Sequence, residues 1–326
     1  MFRLFSRLGI FIQLIVVLGV ATLLVLPAFS HSVALLPVRD DFMLHSLIIK
    51  ALNVSPIIGV SIAPSILLFQ AFFLYFLAIS NDLHPRDSLL TILFYFILAA
   101  SLTESIIFSA ALAASVLLLI SLFFIVKMQG STQTYKQIFS ASFCVSVAAL
   151  FYPPAIIFVL FIWLSFLTYR IASWHEWVIS FLAFMIPVLY LFTYYLWIGQ
   201  LQLLFTNYNS LFSNLTNEFP KFRLWQMIFL GFTSVLLLLA LFRQITLIQD
   251  KLISIRRKTW IFIDFMIIAA LSCSLSGRNF PGHLSILAIP GALFLANMYT
   301  GKRVNWTFEI FSVLMLMLLL IARFSI

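Results

Sequence analysis

Residues 106–126 read IIFSAALAASVLLLISLFFIV, with no charged side chain from end to end. A helix of that length rises about 30 Å, the thickness of a bilayer's hydrocarbon core. The run is apolar on every face, so it lacks the period-two alternation of a barrel strand. In lipid every backbone N–H and C=O needs a partner from the chain itself, which leaves a helix as the structure open to this segment. It reads as one transmembrane helix, and comparable runs recur outward from it in both directions.

The expected spans are 8–29, 56–79, 88–102, 106–126, 137–151, 153–170, 177–198, 225–247, 259–276, 284–300 and 306–324. Composition agrees, since 63% of the chain is hydrophobic and 9% is charged, against about a quarter charged in a soluble domain. The expected fold is all-α, a polytopic transmembrane helix bundle of about eleven spans forming a single integral membrane domain over residues 1–326. The third and fifth runs are short. They meet their successors at Ser101-Leu102-Thr103-Glu104 and at Tyr152-Pro153-Pro154, where each pair can turn as a tight hairpin. A pair that stops short of the far side would lower the count. Arg3 and Arg7 precede a first run longer than the roughly 7–15 apolar residues of a cleaved signal, so it is expected to be retained.

The net charge is +9, but the cations sit between apolar runs and not on one soluble face. Nucleic acid is therefore not an expected partner, and the lipid bilayer is. With the N-terminus cytoplasmic, thirteen of the nineteen Lys and Arg residues fall inside, among them the cluster Arg256-Arg257-Lys258. The positive-inside rule then orients the chain N-in and C-out. Outer loops fall at about 30–55, 199–224 and 277–283. Trp174, Trp177, Trp225 and Trp260 suit an interfacial belt.

Ionisable groups are few, and at membrane depth they are costly, so each is informative. Arg39-Asp40-Asp41 precedes His45, and Leu44, Leu47, Ile48 and Leu52 then recur at helical spacing, as in a short surface helix. Asp40 or Asp41 either caps that helix or faces a cavity as a general base or substrate ligand. Gly277-Arg278-Asn279-Phe280-Pro281-Gly282-His283 forms a later outer turn. Its Arg278 can fork onto phosphate oxygens, and His283 opens the next helix, where the dipole favours an anion. The competing reading is an ordinary turn with a snorkelling arginine. Glu104 can join the same outer cavity. Asp264 is expected to pair with the Arg256–Lys258 cluster or with another helix. Asp82, His84, Arg86 and Asp87 read as a solvated, self-paired inner turn, and His175 and Glu176 as another. No histidines pair at a metal-binding spacing, and phosphate-cradling or nucleophile-elbow motifs are absent from the sequence.

An acidic pair in the first outer loop, tight helical pairs, and a late outer Gly-Arg-x-Phe-x-x-His ahead of a span with Pro290 together resemble a known arrangement. It is similar to the GT-C class of membrane glycosyltransferases, the polyprenyl-phosphate-sugar-dependent type. The stretch Phe143 to Pro154, ending Ala148-Ala149-Leu150-Phe151-Tyr152-Pro153-Pro154, is similar to the fifth-to-sixth span joint of that class. The chain also resembles an uncharacterised bacterial family of small polytopic inner-membrane proteins.

The resemblance implies sugar transfer from a polyprenyl-phosphate donor to an acceptor at the outer face of the cell's inner membrane. It implies Asp40 and Asp41 as the catalytic acids and Arg278 with His283 as the phosphate ligands. Arg39, His45 and Glu104 are further substrate-binding candidates, and a divalent metal ion is the one cofactor such chemistry would call on. The chain departs from the class in its shortness and its lack of a large outer domain. Phe42-Met43-Leu44 stands where Glu-Ala-x-Tyr is often seen, and Leu284 where an aromatic residue is common. The alternative class is non-catalytic: a transporter or flippase of lipid-linked intermediates, or an assembly partner in cell-envelope biogenesis. A proton-coupled transporter would want an acid at mid-membrane depth. An assembly partner would want small-residue stripes, of which Ala110 to Ala114 is a short one.

Overall fold

The computed structural model describes residues 5, 9–30, 56–102, 108–130, 133–171, 173–199, 202, 222–299 and 306–324. Every regular element among them is helical. The α-helices are α1 (Ile10–Ser30), α2 (Pro56–Ser80), α3 (Leu90–Ala99), α4 (Ala110–Met128), α5 (Thr134–Phe151), α6 (Phe158–Tyr169), α7 (Trp174–Trp197), α8 (Leu224–Leu247), α9 (Ile253–Cys273), α10 (Phe280–Asn297) and α11 (Trp306–Phe324). Two one-turn 3-10 helices, Pro153–Ile157 and Gly277–Asn279, precede α6 and α10. Each expected apolar run coincides with one of these helices. Among the described residues, five stretches are long and apolar enough to cross a membrane: Ser61–Ser80, Ala110–Met128, Trp174–Trp197, Leu224–Leu247 and Phe280–Asn297.

The breaks between helices have local causes. Pro153 and Pro154 supply no N–H to continue α5, so the chain tightens into a 3-10 turn and restarts as α6. Arg170 ends α6 in the left-handed region at φ 58°, and the Ile171 N–H then reaches back to the Phe166 carbonyl at 2.9 Å.

At the centre lies α3, whose ten residues are all buried. A helix of that length rises about 15 Å, half of a hydrocarbon core. It is shorter than the expected run 88–102, because the chain is held in turns at both its ends. Its closest partner is α10, which also packs on α4, α9 and α8. Two glycines permit the approach. A Cβ on Gly282 would collide with Ser109 Oγ and press on Ala111 Cβ at 3.1 Å. A Cβ on Gly291 would meet Leu237 of α8 at 2.9 Å and Leu98 of α3 at 3.2 Å. Close packing of this kind matters in lipid, where apolar burial gives helices little reason to associate.

Polar bonds inside the bundle add to it. Gln70 of α2 donates to Ser115 Oγ of α4 at 2.6 Å and accepts from the Tyr95 hydroxyl of α3. All three side chains are fully buried. Each such interhelical bond contributes about 0.6 kcal/mol, rising to nearly 2. Conversely, α7 and α8 turn large apolar side chains outward, among them Phe181, Tyr190, Trp197 and Phe242. A water-facing surface of this kind would aggregate, whereas a bilayer covers it.

Candidate functional site

Of the residues expected to carry chemistry, Arg39, Asp40, Asp41, His45 and Glu104 lie outside the described residues, as does the side chain of Arg278. The backbone of Arg278 is placed, in the one-turn helix Gly277–Asn279, whose Gly277 takes φ 49° as only glycine does readily. That turn runs directly into α10, with Pro281 in its first turn, where a missing N–H costs nothing.

His283 follows one residue after Gly282 and is fully buried. Its Nε2 lies 2.9 Å from the Ala269 carbonyl of α9 and 3.3 Å from Ser272 Oγ. A carbonyl oxygen can only accept, so Nε2 carries the proton. Nδ1 is then the lone pair, and it accepts from the Tyr152 hydroxyl at 3.1 Å. The ring is therefore neutral with both nitrogens engaged, and it joins α9, α10 and the joint between α5 and α6. As placed, it offers no nitrogen to a headgroup phosphate. What it does is fix the start of α10, and with it the turn that carries Arg278.

Other connections between helices gather at the same point. Ser109, which accepts the Leu112 N–H at 3.2 Å and so caps α4, is the residue against which Gly282 sits. Phe222, at the end of the expected 199–224 loop, meets Phe280 edge-on with ring centroids 5.4 Å apart. The segments ending or starting at Ser109, Tyr152, Phe222 and Gly277 thus converge on the N-terminal end of α10. A separate contact on the α3 side involves Arg323 of α11, whose side chain is 8% exposed. Its guanidinium donates to the Ala100 carbonyl at 2.7 Å and to the Leu24 carbonyl. A cation suits the C-terminal end of α3, where the helix dipole is negative.

An expected pairing and an expected turn fare differently. Asp264 does find another helix, accepting from Thr168 Oγ1 of α6 at 3.0 Å. In the turn 81–89, Asp82, Arg86 and Asp87 are exposed as expected, but the turn does not stand by itself. Leu83 and His84 are buried, and His84 Nδ1 lies 2.9 Å from Asn297 Oδ1 at the far end of α10. Tyr75 donates to the Arg86 carbonyl at 2.7 Å. Gln13 of α1 donates to the Asp87 carbonyl at 3.0 Å and accepts the Leu89 N–H at 2.8 Å. The backbone of this turn is bonded by α1 and α2, which is why it docks. Among the described residues no three His, Cys, Asp or Glu side chains gather to hold a metal ion.

The chain belongs to the family of unknown function DUF6427, which it matches over residues 41–326. No curated protein and no solved structure matches it.

Proposed function

We propose that the chain is a multi-pass inner-membrane enzyme of the GT-C type, with about eleven spans and a cytoplasmic N-terminus. In this reading it moves a sugar from a polyprenyl-phosphate donor to an acceptor at the outer face. The observation that carries the reading is the convergence of outer connections on the rigid N-terminal end of α10. A binding turn set on such a platform keeps its geometry better than one on a free loop.

Arg278 then neutralises the leaving phosphate with a bidentate guanidinium. His283 and Tyr152 position that turn and touch neither donor nor acceptor. Asp40 or Asp41 accepts the proton of the acceptor hydroxyl as its oxygen attacks the anomeric carbon. The bond from that carbon to the phosphate oxygen breaks on the opposite side, so the configuration inverts and polyprenyl phosphate departs. A divalent ion bound by those carboxylates would lower the hydroxyl's pKa.

A second reading, a carrier of lipid-linked intermediates without chemistry, is favoured by one feature. An apolar groove of about 290 Å³ lies between α1, α2 and α3, lined by Leu18, Val25, Leu68 and Phe96 among others. A lipid chain fits it, and a carrier needs no chemistry beyond such a groove.

The test is native mass spectrometry of the purified protein beside its Arg278→Ala variant. A polyprenyl phosphate or its sugar adduct bound to the wild type and lost from the variant is the expected result. Ordinary phospholipids alone, equal in both, would overturn the phosphate role of Arg278.

A further inference from the structure

At the opposite end of α10 the bundle opens into a cavity of about 460 Å³. Its walls come from the turn 81–89, the last turns of α8, the connection to α9 and the last residue of α10. Arg86, Arg243 and Lys251 line it, and Asp82 is the one acid among its described lining residues. The cavity is therefore cation-rich, and it is built from segments distant in sequence. We infer that this cavity is a binding site for a phosphoryl anion, such as an anionic phospholipid headgroup at the cytoplasmic interface or a soluble phosphate.

Three observations support the site. First, His84 lines the cavity with 4% exposure, and its Nε2 has no hydrogen-bond partner among the described residues. Asn297 Oδ1 can only accept, so Nδ1 carries the neutral ring's proton and Nε2 is left as a bare lone pair. A buried polar atom without a partner in the protein calls for one from outside it, and here it faces a cavity. An arriving anion would draw a second proton onto the ring, and Nε2–H would then donate to it.

Second, burial lowers the pKa of the Lys251 ammonium, with no acid offsetting the loss of water. An anion in the cavity would restore what desolvation removes.

Third, the surroundings are amphipathic. Leu247 lines the cavity and is exposed, and the neighbouring Leu252 and Ile253 are 72% and 61% exposed. Apolar side chains beside a cationic pocket suit a headgroup whose acyl chains stay in the bilayer. Arg256, Arg257 and Lys258 follow directly in α9 and add to the local positive potential. This site is independent of the outer-end reading, since it shares no residue with it.

The test uses the full chain in nanodiscs, with phosphatidylglycerol or phosphatidylcholine as the lipid probe and inorganic phosphate as the soluble one. Wild type is compared with an Arg86→Ala, Lys251→Ala double variant and with a charge-keeping Arg86→Lys, Lys251→Arg variant. The first two positions lie at the surface and in a connecting turn, so folding is not at stake, and thermal unfolding checks it. Retention of phosphatidylglycerol over phosphatidylcholine, weakened about tenfold in the alanine variant and kept in the other, identifies a lipid headgroup. Phosphate protection without any lipid preference, lost in the alanine variant alone, identifies a soluble phosphoryl ligand. Equal behaviour of wild type and the alanine variant toward all three probes overturns the proposal.

Discussion

The two ends of α10 each hold a buried histidine, and they use it in opposite ways. His283, at the N-terminal end, has a hydrogen bond at each ring nitrogen. His84, at the C-terminal end, has a bond at Nδ1, none at Nε2 among the described residues, and a cation-lined cavity beside it. Burial alone therefore does not separate a structural imidazole from one poised for a ligand. What separates them is whether the donor and acceptor inventory closes within the protein.

The sharpest way to break the contrast is His283→Ala. It leaves the Tyr152 hydroxyl and the Ala269 carbonyl short of a partner and opens a void, so we expect a loss of about 3–5 kcal/mol. Denaturant unfolding in detergent would measure it, and a loss under about 1 kcal/mol would remove His283 as a strut. Next in size is Gly282→Ala, expected to cost about 1–3 kcal/mol through the clash with Ser109. Adding Ser109→Gly should recover most of that, because glycine serves as an N-cap nearly as well as serine. If it does not, the connections at this end of α10 are held by something other than this contact.

His84→Gln should cost less, about 1 kcal/mol for one hydrogen bond. It should also sharpen the contrast through pH. Burial lowers the His84 pKa below the ordinary imidazole value of 6.5, partly opposed by the bond to Asn297 and the nearby Ser88 backbone. The unfolded chain therefore takes up a proton that the folded, anion-free protein resists. Stability should fall as pH drops below about 6.5, and fall less in His84→Gln than in the wild type. Asp82, Arg86, Arg243 and Lys251 line the same cavity and set the field in which that proton arrives. Thermal unfolding of both proteins at pH 5 and pH 7.5 checks it, and parallel pH curves would contradict it.

The helices were legible in the sequence because length and apolarity are local. The run 106–126 and the helix α4 differ only at their ends, and the Tyr152-Pro153-Pro154 joint follows from proline's missing N–H. The interior bonds were not legible, because no local pattern announces a partner far along the chain. Arg323 reaches back to Leu24, His84 to Asn297, and Tyr152 to His283. The docking of the turn 81–89 was missed for a related reason. Asp82, Arg86 and Asp87 are exposed, as their charge suggests, but nothing in the turn shows that Gln13 and Tyr75 hold its backbone. Arg278 and His283 stand together in one short motif, but the helix starts at Phe280, so Arg278 lies in the expected turn and His283 already inside α10. The engagement of His283 by α9 and by Tyr152 depends on packing that the motif does not encode.

The most direct test of the proposed chemistry is turnover. Purified protein in proteoliposomes would be given a polyprenyl-phosphate hexose together with cell-envelope extract as the source of acceptor, and released polyprenyl phosphate would be followed. Release by the wild type, abolished in an Asp40→Asn, Asp41→Asn variant that still binds the donor, is the predicted result. Donor bound equally by both proteins and released by neither would contradict the transferase account and leave a lipid carrier in its place.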